Sequence, residues 1–175
     1  MDDKTLYDLL CEIRDGDRSA FTQLYEELKI PVYTVICRIV QNRATAEDLM
    51  QEVFLKLYST PPSTSVKNVR AWIFRTAHNA AIDELRKKRN SECDLSAICS
   101  DLRNNELWLD TRIDLENALC KLPVDQREIL TLRLNAGLGF QQIADITASS
   151  LPSVYRKYRK TIATLKNELN GGQTK

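Results

Sequence analysis

Apolar residues recur along most of this chain at the three- and four-residue spacing of an amphipathic helix, and strand-like alternation is scarce. The spacing therefore predicts an all-α protein. The predicted helices cover residues 3–14, 18–29, 31–41, 44–58, 69–89, 111–121, 124–136, 140–147 and 151–169. The strongest helix-breaking signals are "TPPSTS" at 60–65, Pro123, "NAGLG" at 135–139 and "NGG" at 170–172.

One long stretch interrupts this periodicity. Residues 91–110 are polar and weakly periodic, and they follow a run of bases that ends at Arg89. They are predicted to be a flexible linker between two small helical domains, one over residues 1–90 and one over residues 111–170, with a tail at 171–175. The second domain is close to the smallest size that folds alone, so its core must be efficient.

The predicted helix over residues 44–58 has two distinct faces, and Thr45 is its expected N-cap. The face expected to be buried consists of Ala46, Leu49, Met50, Val53, Phe54 and Leu57. The other face consists of Asp48, Gln51, Glu52 and Leu55. This acidic stripe has two interpretations: a solvated surface with one exposed leucine, or a docking surface for a basic partner.

The predicted helix over residues 69–89 also has two faces. Its apolar stripe consists of Ile73, Phe74, Ala77, Ala81 and Leu85. The opposite face consists of Trp72, Arg75, Thr76, Asn79, Asp83 and Arg86, and it leads into Lys87, Lys88 and Arg89. Arginine binds phosphate, asparagine can bond base edges, and an aromatic ring can stack on an unpaired base. The face is therefore a candidate nucleic-acid surface, the alternative being a half-buried tryptophan above an ordinary solvated surface.

The stretch "FQQIADITASSLPSVYRKYRK" at 140–160 is typical of a helix-turn-helix. Ala144, Ala148 and Val154 have the small, turn and apolar spacing that this motif requires. Ser150 is a good N-cap, which puts Pro152 in the first turn of the second helix, where its missing N–H does no harm. Ala148 occupies the turn position where glycine is usual, so a left-handed conformation there would cost about 1 kcal/mol. A structural helical hairpin is the alternative.

The second domain is expected to pack a small helical core. Its predicted core residues are Leu115, Ala118, Leu119, Leu122, Ile129, Leu130, Leu134, Ile143, Leu151, Val154, Tyr158, Ile162 and Leu165. The opposite face of the last helix carries Pro152, Ser153, Tyr155, Arg156, Arg159, Lys160 and Lys166. No acid occurs between Asp145 and Glu168, so this face is basic over its whole length.

Charge follows the same two-part organisation. The chain has a net charge of +1, but residues 1–58 carry −4, residues 59–92 carry +4, residues 93–130 carry −4 and residues 131–175 carry +5. Two modules that each end in a basic cluster would produce this pattern, and basic clusters are typical of phosphate binding. Alternation of solvated helix faces by chance is the other explanation.

The remaining chemistry is sparse. The five cysteines are irregularly spaced without a CxxC motif, and His78 is the only histidine, so neither a disulfide scaffold nor a metal site is expected. His78 is expected to be a packed or surface residue rather than a catalytic one. A thiol redox or metal sensor using Cys93 and Cys99 is a weak alternative, because C-x5-C in a linker is a poor ligand pair. No secretory signal or membrane-spanning stretch is present, so a cytoplasmic protein is expected.

Taken together, three segments resemble the sigma-70 family of bacterial transcription initiation factors, specifically its short extracytoplasmic-function (ECF) group. "AEDLMQEVFLKLY" resembles the core-binding helix of the family's second region. "VRAWIFRTAHNAAIDELRKKR" resembles its −10-element helix. "LCKLPVDQREILTLRLNAGLGFQQIADI" followed by "LPSVYRKYRK" resembles the fourth region, which reads the −35 element.

The resemblance implies a role for each surface. Core polymerase would be bound by Asp48, Gln51, Glu52 and Leu55. The −10 element would be contacted by Ser63, Thr64, Lys67, Asn68, Trp72, Arg75, Asn79, Arg86 and Lys87. The −35 element would be contacted by Ser153, Tyr155, Arg156, Arg159 and Lys160. The polar residues at 63–68 would capture a base flipped out of the non-template strand.

The implied function is transcription initiation without catalysis by this chain. It would bind core RNA polymerase through the β′ clamp and the β subunit, read −35 duplex DNA and help to melt the −10 element. An anti-sigma factor is the other implied partner, and neither a cofactor nor membrane insertion is expected. The main alternative is a helix-turn-helix regulator that binds DNA without polymerase.

Overall fold

The computed structural model describes residues 2–63, 66, 68–90, 118, 119 and 121–171. Within these ranges the chain is helical and contains no β-strand, which confirms the all-α prediction. The helices are α1 (Asp3–Arg14), α2 (Arg18–Val40), α3 (Arg43–Ser59), α4 (Val69–Asn90), α5 (Val124–Leu134), α6 (Phe140–Ile146) and α7 (Leu151–Gly171). The predicted linker at 91–110, the proposed sensor pair Cys93 and Cys99, and most of the predicted helix over 111–121 lie outside the described residues.

Helix α2 is the central element and contacts α1, α3, α4 and α5. The prediction of a helix boundary at Pro31 is wrong, because α2 runs through this residue without a break. A proline inside a helix removes one backbone hydrogen bond. Leu28 and Val32 on either side of it are completely buried, so packing of a continuous apolar stripe offsets that loss.

Two residues form the connection between α2 and α3. Gln41 adopts a left-handed conformation with φ of 54° and ends α2. The side chain of Asn42 then accepts a hydrogen bond of 2.9 Å from the Thr45 N–H. Asn42 is therefore the N-cap of α3, and the prediction of Thr45 is wrong because the helix begins earlier than its apolar pattern.

The start of α4 is fixed by Asn68. Its side-chain oxygen accepts a hydrogen bond of 2.7 Å from the Ala71 N–H, and its amide nitrogen donates to Asp3 at 2.9 Å. The first contact caps α4, and the second ties that helix to the start of α1. The orientation of the candidate −10 helix thus depends on a residue in the preceding loop.

The last three helices pack much as the apolar pattern predicts. Leu119, Leu122, Leu130 and Leu165 are buried in one small cluster, with Tyr158 and Ile162 packed against it. Leu134 and Leu151 were also predicted to be buried, but they are 61% and 43% exposed. They are the last residue of α5 and the first of α7, where the side chains project past the packed faces.

The N-terminal half of the described chain (α1 to α4) and the C-terminal half (α5 to α7) share one hydrophobic cluster. Helix α2 contacts α5, and α4 contacts α6. Ile129, Leu132, Leu138 and Ile143 from the C-terminal half join the cluster that contains Ile73 and the buried residues of α2. The halves therefore pack directly against each other, while the exact domain boundaries stay a prediction.

Across the described ranges, no helix combines the length and the apolar character that spanning a lipid bilayer requires. The same ranges bring together no cluster of His, Cys, Asp or Glu side chains that could hold a metal ion.

Candidate nucleic-acid and polymerase interfaces

The turn between α6 and α7 has the geometry of a helix-turn-helix. Ala148 adopts φ of 48°, which confirms the left-handed conformation considered for it. The Ser149 N–H donates to the Ala144 carbonyl at 3.0 Å, and the Thr147 hydroxyl donates to the Ile143 carbonyl at 2.9 Å. These bonds satisfy carbonyls at the end of α6 and hold the turn without a glycine.

Helix α7 begins as predicted. The Val154 N–H donates to the Ser150 carbonyl at 3.0 Å, and Pro152 is the second residue of the helix. Its missing N–H falls in the first turn, where no intrahelical partner exists. Val154 is completely buried, so the exposed face of the helix is fixed by how its apolar face packs.

That exposed face carries the candidate −35 residues. Arg156, Arg159 and Lys160 are exposed, Tyr155 is 50% exposed, and Ser153 is half-buried. One shallow surface depression is lined by Pro152, Tyr155, Arg156, Arg159 and Lys160. The structure thus brings the predicted −35 residues together on one side of α7.

Two residues that were not predicted as part of the site support Tyr155. The ring of Phe140 meets the Tyr155 ring edge-on, with 5.4 Å between centroids and 83° between planes. The guanidinium of Arg133 lies 4.9 Å from the Phe140 centroid and donates to the Leu138 carbonyl at 2.8 Å. Aromatic pairs and cation–π contacts each contribute about 0.5–1.5 kcal/mol. The sequence gives no signal for this stack, because its members come from three helices.

The candidate −10 face of α4 is accessible to solvent. Arg75, Asn79 and Arg86 are exposed and Trp72 is half-buried, while Ile73, Phe74, Ala77 and Ala81 on the opposite side are completely buried. Two bases near the end of this face have ion-pair partners on α4 itself, since Arg86 lies 3.4 Å from Asp83 and Lys87 lies 3.9 Å from Glu84. Exposed pairs of this kind contribute little, so the bases remain available to a phosphate.

The loop before α4 is described only in part. Ser63 is exposed, whereas Thr64 and Lys67 lie outside the described residues. Asn68 is half-buried, and its amide is already used to cap α4 and to bind Asp3. A direct contact between Asn68 and DNA would therefore compete with these two hydrogen bonds.

The acidic stripe of α3 is a separate exposed surface. Asp48, Gln51 and Glu52 are exposed and Leu55 is 65% exposed. On the opposite side, Ala46, Leu49, Val53, Phe54 and Leu57 are buried. The helix therefore presents a large apolar side chain among acidic and amide groups, as the sequence predicts.

Ionisable side chains are also buried where the two halves meet. His78 of α4 contacts Glu128 of α5, and these residues are only 6% and 8% exposed. Arg127, also on α5, is 4% exposed. His78 is thus a packed residue, as predicted, whereas sequence reasoning missed Arg127 and Glu128 because they follow the pattern of ordinary surface charges.

Comparisons with known proteins agree with this arrangement. Residues 24–91 match the model of sigma-70 region 2, and residues 112–165 match that of sigma-70 region 4. These matches cover more than half of the chain. The chain belongs to the sigma-70 family, in the ECF group, whose members are transcription initiation factors.

Individual relatives are similar over nearly their whole length. The ECF sigma factor SigK of Mycolicibacterium vanbaalenii is 27% identical over 168 residues, which are 90% of this chain and 86% of the relative. SigM of Bacillus subtilis is 26% identical over 153 residues, which are 83% of this chain and 94% of the relative.

Two solved structures share the fold. CnrH in complex with the cytosolic domain of CnrY has a TM-score of 0.67 at 19% identity, covering 95% of this chain and 98% of that one. RpoE in complex with the anti-sigma factor NepR, from Bartonella quintana, has a TM-score of 0.67 at 20% identity, covering 86% of this chain and 96% of that one.

Proposed function

We propose that this sigma factor binds core RNA polymerase and directs it to specific promoters, reading −35 duplex DNA with α7 and helping to melt the −10 element with α4. The observation that carries the proposal is the exposed basic face of α7, which projects from a helix-turn-helix. The chain supplies positioning, and the polymerase catalyses RNA synthesis. The protein acts in the cytoplasm, where polymerase and promoters are found.

The −35 contact is supported by the side chains of α7. A recognition helix fits the major groove of B-DNA and reads base edges with residues of its first turns. Ser153, Tyr155, Arg156, Arg159 and Lys160 occupy this part of α7. Arg156 and Arg159 can each bond a guanine or a phosphate, and the edge contact with Phe140 holds the Tyr155 ring in a fixed direction.

The −10 contact is supported by the mixture of side chains on α4. Trp72 offers a ring for stacking, Asn79 offers an amide for base edges, and Arg75, Arg86 and Lys87 offer charge for phosphates. Extrusion of a base costs a few kilocalories per mole, about the amount that stacking and phosphate contacts return. Ser63, Thr64, Lys67 and Asn68 belong to the loop that would receive the base.

Docking on the polymerase is supported by the acidic stripe of α3. An exposed leucine surrounded by Asp48, Gln51 and Glu52 suits a partner surface with an apolar pocket and a basic rim. The proposed partner surface is the β′ clamp, and the β subunit would hold the C-terminal helices. An anti-sigma factor is a further proposed partner, since the solved structures of CnrH and RpoE are complexes with CnrY and with the anti-sigma factor NepR.

Run-off transcription with purified core enzyme and genomic promoter fragments tests the proposal. We expect transcripts that depend on the added protein and start at a small set of promoters. Absence of such transcripts, together with no binding to core, would contradict the proposal. Tight duplex binding by the protein alone in a gel shift would instead favour a regulator that acts without polymerase.

A single substitution separates the two activities. Arg156→Ala should weaken binding to −35 duplex DNA by about 1–3 kcal/mol, because a bidentate base contact is lost, and should leave association with core unchanged. Fluorescence anisotropy and a core pull-down measure the two affinities. Lys166→Ala, an exposed base two to three turns further along α7, is the matched control. Equal loss of both affinities in the Arg156 variant would show that α7 contributes to core binding.

A further inference from the structure

The exposed face of α7 has an apolar part as well as a basic one. Of the five residues that line its shallow depression, Arg156, Arg159 and Lys160 are cationic. The other two are Pro152 and Tyr155, which are three residues apart and are therefore neighbours on the helix surface. Both are exposed, so they form an apolar patch near the start of α7.

The ring of Tyr155 in this apolar patch is held by Phe140, the first residue of α6. The two rings meet edge-on, with 5.4 Å between centroids and 83° between planes. Phe140 also meets the ring of Tyr158, with 5.2 Å between centroids and 67° between planes. Because Tyr158 lies one turn beyond Tyr155, Phe140 packs against two successive turns of α7, and its displacement would weaken both contacts.

Phe140 is itself supported by α5. The Arg133 guanidinium lies 4.9 Å from the centroid of the Phe140 ring and donates a hydrogen bond of 2.8 Å to the Leu138 carbonyl. Leu138 is completely buried, so this hydrogen bond anchors Arg133 to the core. A continuous series of contacts therefore runs from Leu138 through Arg133 and Phe140 to the exposed ring of Tyr155.

This support prepares the Tyr155 ring for binding. An exposed side chain normally loses rotational freedom when it enters an interface, and that loss opposes binding. A ring that is already held in one orientation loses less. Half of the Tyr155 surface stays exposed, so the held ring still offers apolar area to a partner.

The chemistry of the major groove limits what such a ring can read. Base edges in this groove present hydrogen-bond donors and acceptors, and their one apolar group is the C5 methyl of thymine. The N-terminal residues of a recognition helix are the ones that approach base edges. Tyr155 is the fifth residue of α7, whereas Arg159 and Lys160 lie about one turn further along. An aromatic ring at this position therefore complements thymine better than any other base.

We propose that Tyr155 reads the methyl group of a thymine in the −35 element, and that Phe140 and Arg133 are positioning residues that hold its ring for this contact. The inference rests on the proposed function and adds the chemical class of one base that α7 recognises. Phe140 and Arg133 act through Tyr155 rather than on the base.

Deoxyuridine replacement tests the methyl contact, because deoxyuridine pairs as thymidine does and lacks only the C5 methyl. The probe is a promoter fragment that the protein transcribes with core polymerase, with each thymine of the −35 region replaced in turn. Filter binding of the complex of full chain and core measures the affinities. We expect one replacement to weaken binding about fourfold, the effect of removing one methyl group from an apolar contact. A −35 region in which no thymine is sensitive would overturn the proposal.

Two substitutions at Tyr155 identify the ring as the reader. Tyr155→Ala should bind the thymine and deoxyuridine probes equally, because the apolar contact is gone. Tyr155→Phe should keep the preference of about fourfold, because the ring makes the contact and the hydroxyl does not. Tyr155 is exposed, so both variants should keep the helicity of the wild type in circular dichroism. Persistence of the preference in the alanine variant, or its loss in the phenylalanine variant, would contradict the proposed contact.

Substitutions behind the ring test the positioning role. Phe140→Leu keeps most of the apolar volume but removes the edge contact, and Arg133→Met keeps an apolar stem but removes the guanidinium. Each should reduce the preference for thymine over deoxyuridine to about twofold or less. A merely structural role would lower the affinity for both probes and leave their ratio unchanged. An unchanged ratio in both variants would therefore show that neither residue positions Tyr155.

Phe21→Leu is the matched control. Phe21 is also half-buried and meets Tyr58 edge-on, with 5.0 Å between centroids and 62° between planes, but this pair joins α2 to α3. The substitution removes the same kind of contact from another part of the molecule, so the preference for thymine should stay about fourfold. An equal reduction in the Phe21 and Phe140 variants would mean that the ratio follows general stability, which would refute the positioning role.

Run-off transcription separates this inference from the proposed function. If the wild-type protein supports no transcription with core enzyme, the proposed function fails. Duplexes selected from a random-sequence pool by the full chain alone then become the probes for the same comparison of thymine with deoxyuridine, which still decides whether Tyr155 reads the methyl group. If transcription occurs but no thymine of the −35 region is sensitive, the proposed function stands and this inference is wrong.

Discussion

At the scale of single residues, Ala148 carries the clearest backbone strain in the candidate −35 module. Its φ of 48° is left-handed, a conformation that costs a residue with a Cβ about 1–2 kcal/mol. Replacement by glycine removes this cost but adds freedom to the unfolded chain, worth about 0.4–1 kcal/mol. We therefore expect Ala148→Gly to raise the free energy of unfolding by about 0.5–1 kcal/mol, measured by urea denaturation.

Ala163→Gly is the matched control for that substitution. Ala163 is exposed in the interior of α7, where a glycine should lower the free energy of unfolding by about 0.5–1 kcal/mol. Opposite signs for the two variants are expected. Destabilisation by both would mean that the left-handed turn at Ala148 is not the dominant conformation in solution.

Sequence reasoning predicts individual residues well where their environment is local. The exposure of Arg156 and Arg159 follows from the helix face they occupy, and the left-handed conformation of Ala148 follows from its place in the turn. Sequence reasoning fails to predict the burial of Glu128, because its partner His78 lies 50 residues away in the chain. A charged side chain is normally exposed, and only a distant partner can justify its burial.

At the scale of helices, α2 begins with an acidic cap. The Asp17 carboxylate accepts hydrogen bonds from the Ser19 N–H at 2.7 Å and the Ala20 N–H at 3.4 Å. The hydrogen bonds with Ser19, and more weakly that with Ala20, hold the pKa of Asp17 below its usual value. The pKa in the folded state is thus lower than in the unfolded state, where it is about 3.9. The resulting stability is present above that pH and is lost as the pH falls through the folded-state pKa.

Asp17→Asn should therefore lower the free energy of unfolding at neutral pH, and its difference from the wild type should vanish in acid. Urea denaturation followed by circular dichroism, repeated from neutral pH to below the pKa of Asp17, measures this difference. Asp8→Asn, which removes the same charge from an exposed position inside α1, controls for net charge. A difference between wild type and Asp17→Asn that persists unchanged in acid would contradict the role of the carboxylate.

Helix α3 provides a matched pair of leucines. Leu57 is completely buried, and its replacement by alanine should cost about 2–5 kcal/mol of stability. Leu55 is 65% exposed, so Leu55→Ala should change stability by less than about 0.5 kcal/mol. If α3 docks on core polymerase, Leu55→Ala should still weaken core binding several-fold in a pull-down. Unchanged core binding would identify the stripe as an ordinary solvated surface.

Helix positions follow from the sequence because each helix buries a periodic apolar stripe. The predicted helix boundaries are wrong at two kinds of position. At one, a helix-breaking residue competes with packing; at the other, the capping residue lies outside the apolar stripe. Pro31 suggests a boundary, but buried residues on both sides keep α2 continuous. Asn42 precedes the apolar pattern of α3 by several residues, so the pattern alone does not reveal it as the N-cap.

At the scale of the whole molecule, the faces of each helix could be predicted but their arrangement could not. The periodicity of α4 and α5 shows which residues are apolar, not which helix covers them. The contact between the halves depends on pairs such as Arg38 with Asn135 and Arg70 with Ala136, whose members are distant in sequence. This arrangement decides which candidate DNA surfaces lie next to each other.

Two separate basic surfaces predict how promoter binding responds to salt. Each phosphate contact that is lost reduces the slope of log K against log salt by about 0.9. Lys160→Ala and Arg86→Ala act on different surfaces, α7 and α4, so each should lower the slope of the complex with core polymerase by about one and the double variant by about two. Additivity is expected because, in the proposed function, the two surfaces would contact different promoter elements.

Filter binding of the polymerase complex to a promoter fragment over a range of salt concentrations measures these slopes. Lys166→Ala serves as the control, since this exposed base lies beyond the part of α7 that would enter the groove. A double variant whose slope equals that of either single variant would mean that only one of the two surfaces touches DNA in the complex. A slope that changes for Lys160→Ala alone would assign phosphate binding to α7. It would leave α4 with contacts to bases or to polymerase, because only ionic contacts with phosphate contribute to the salt dependence.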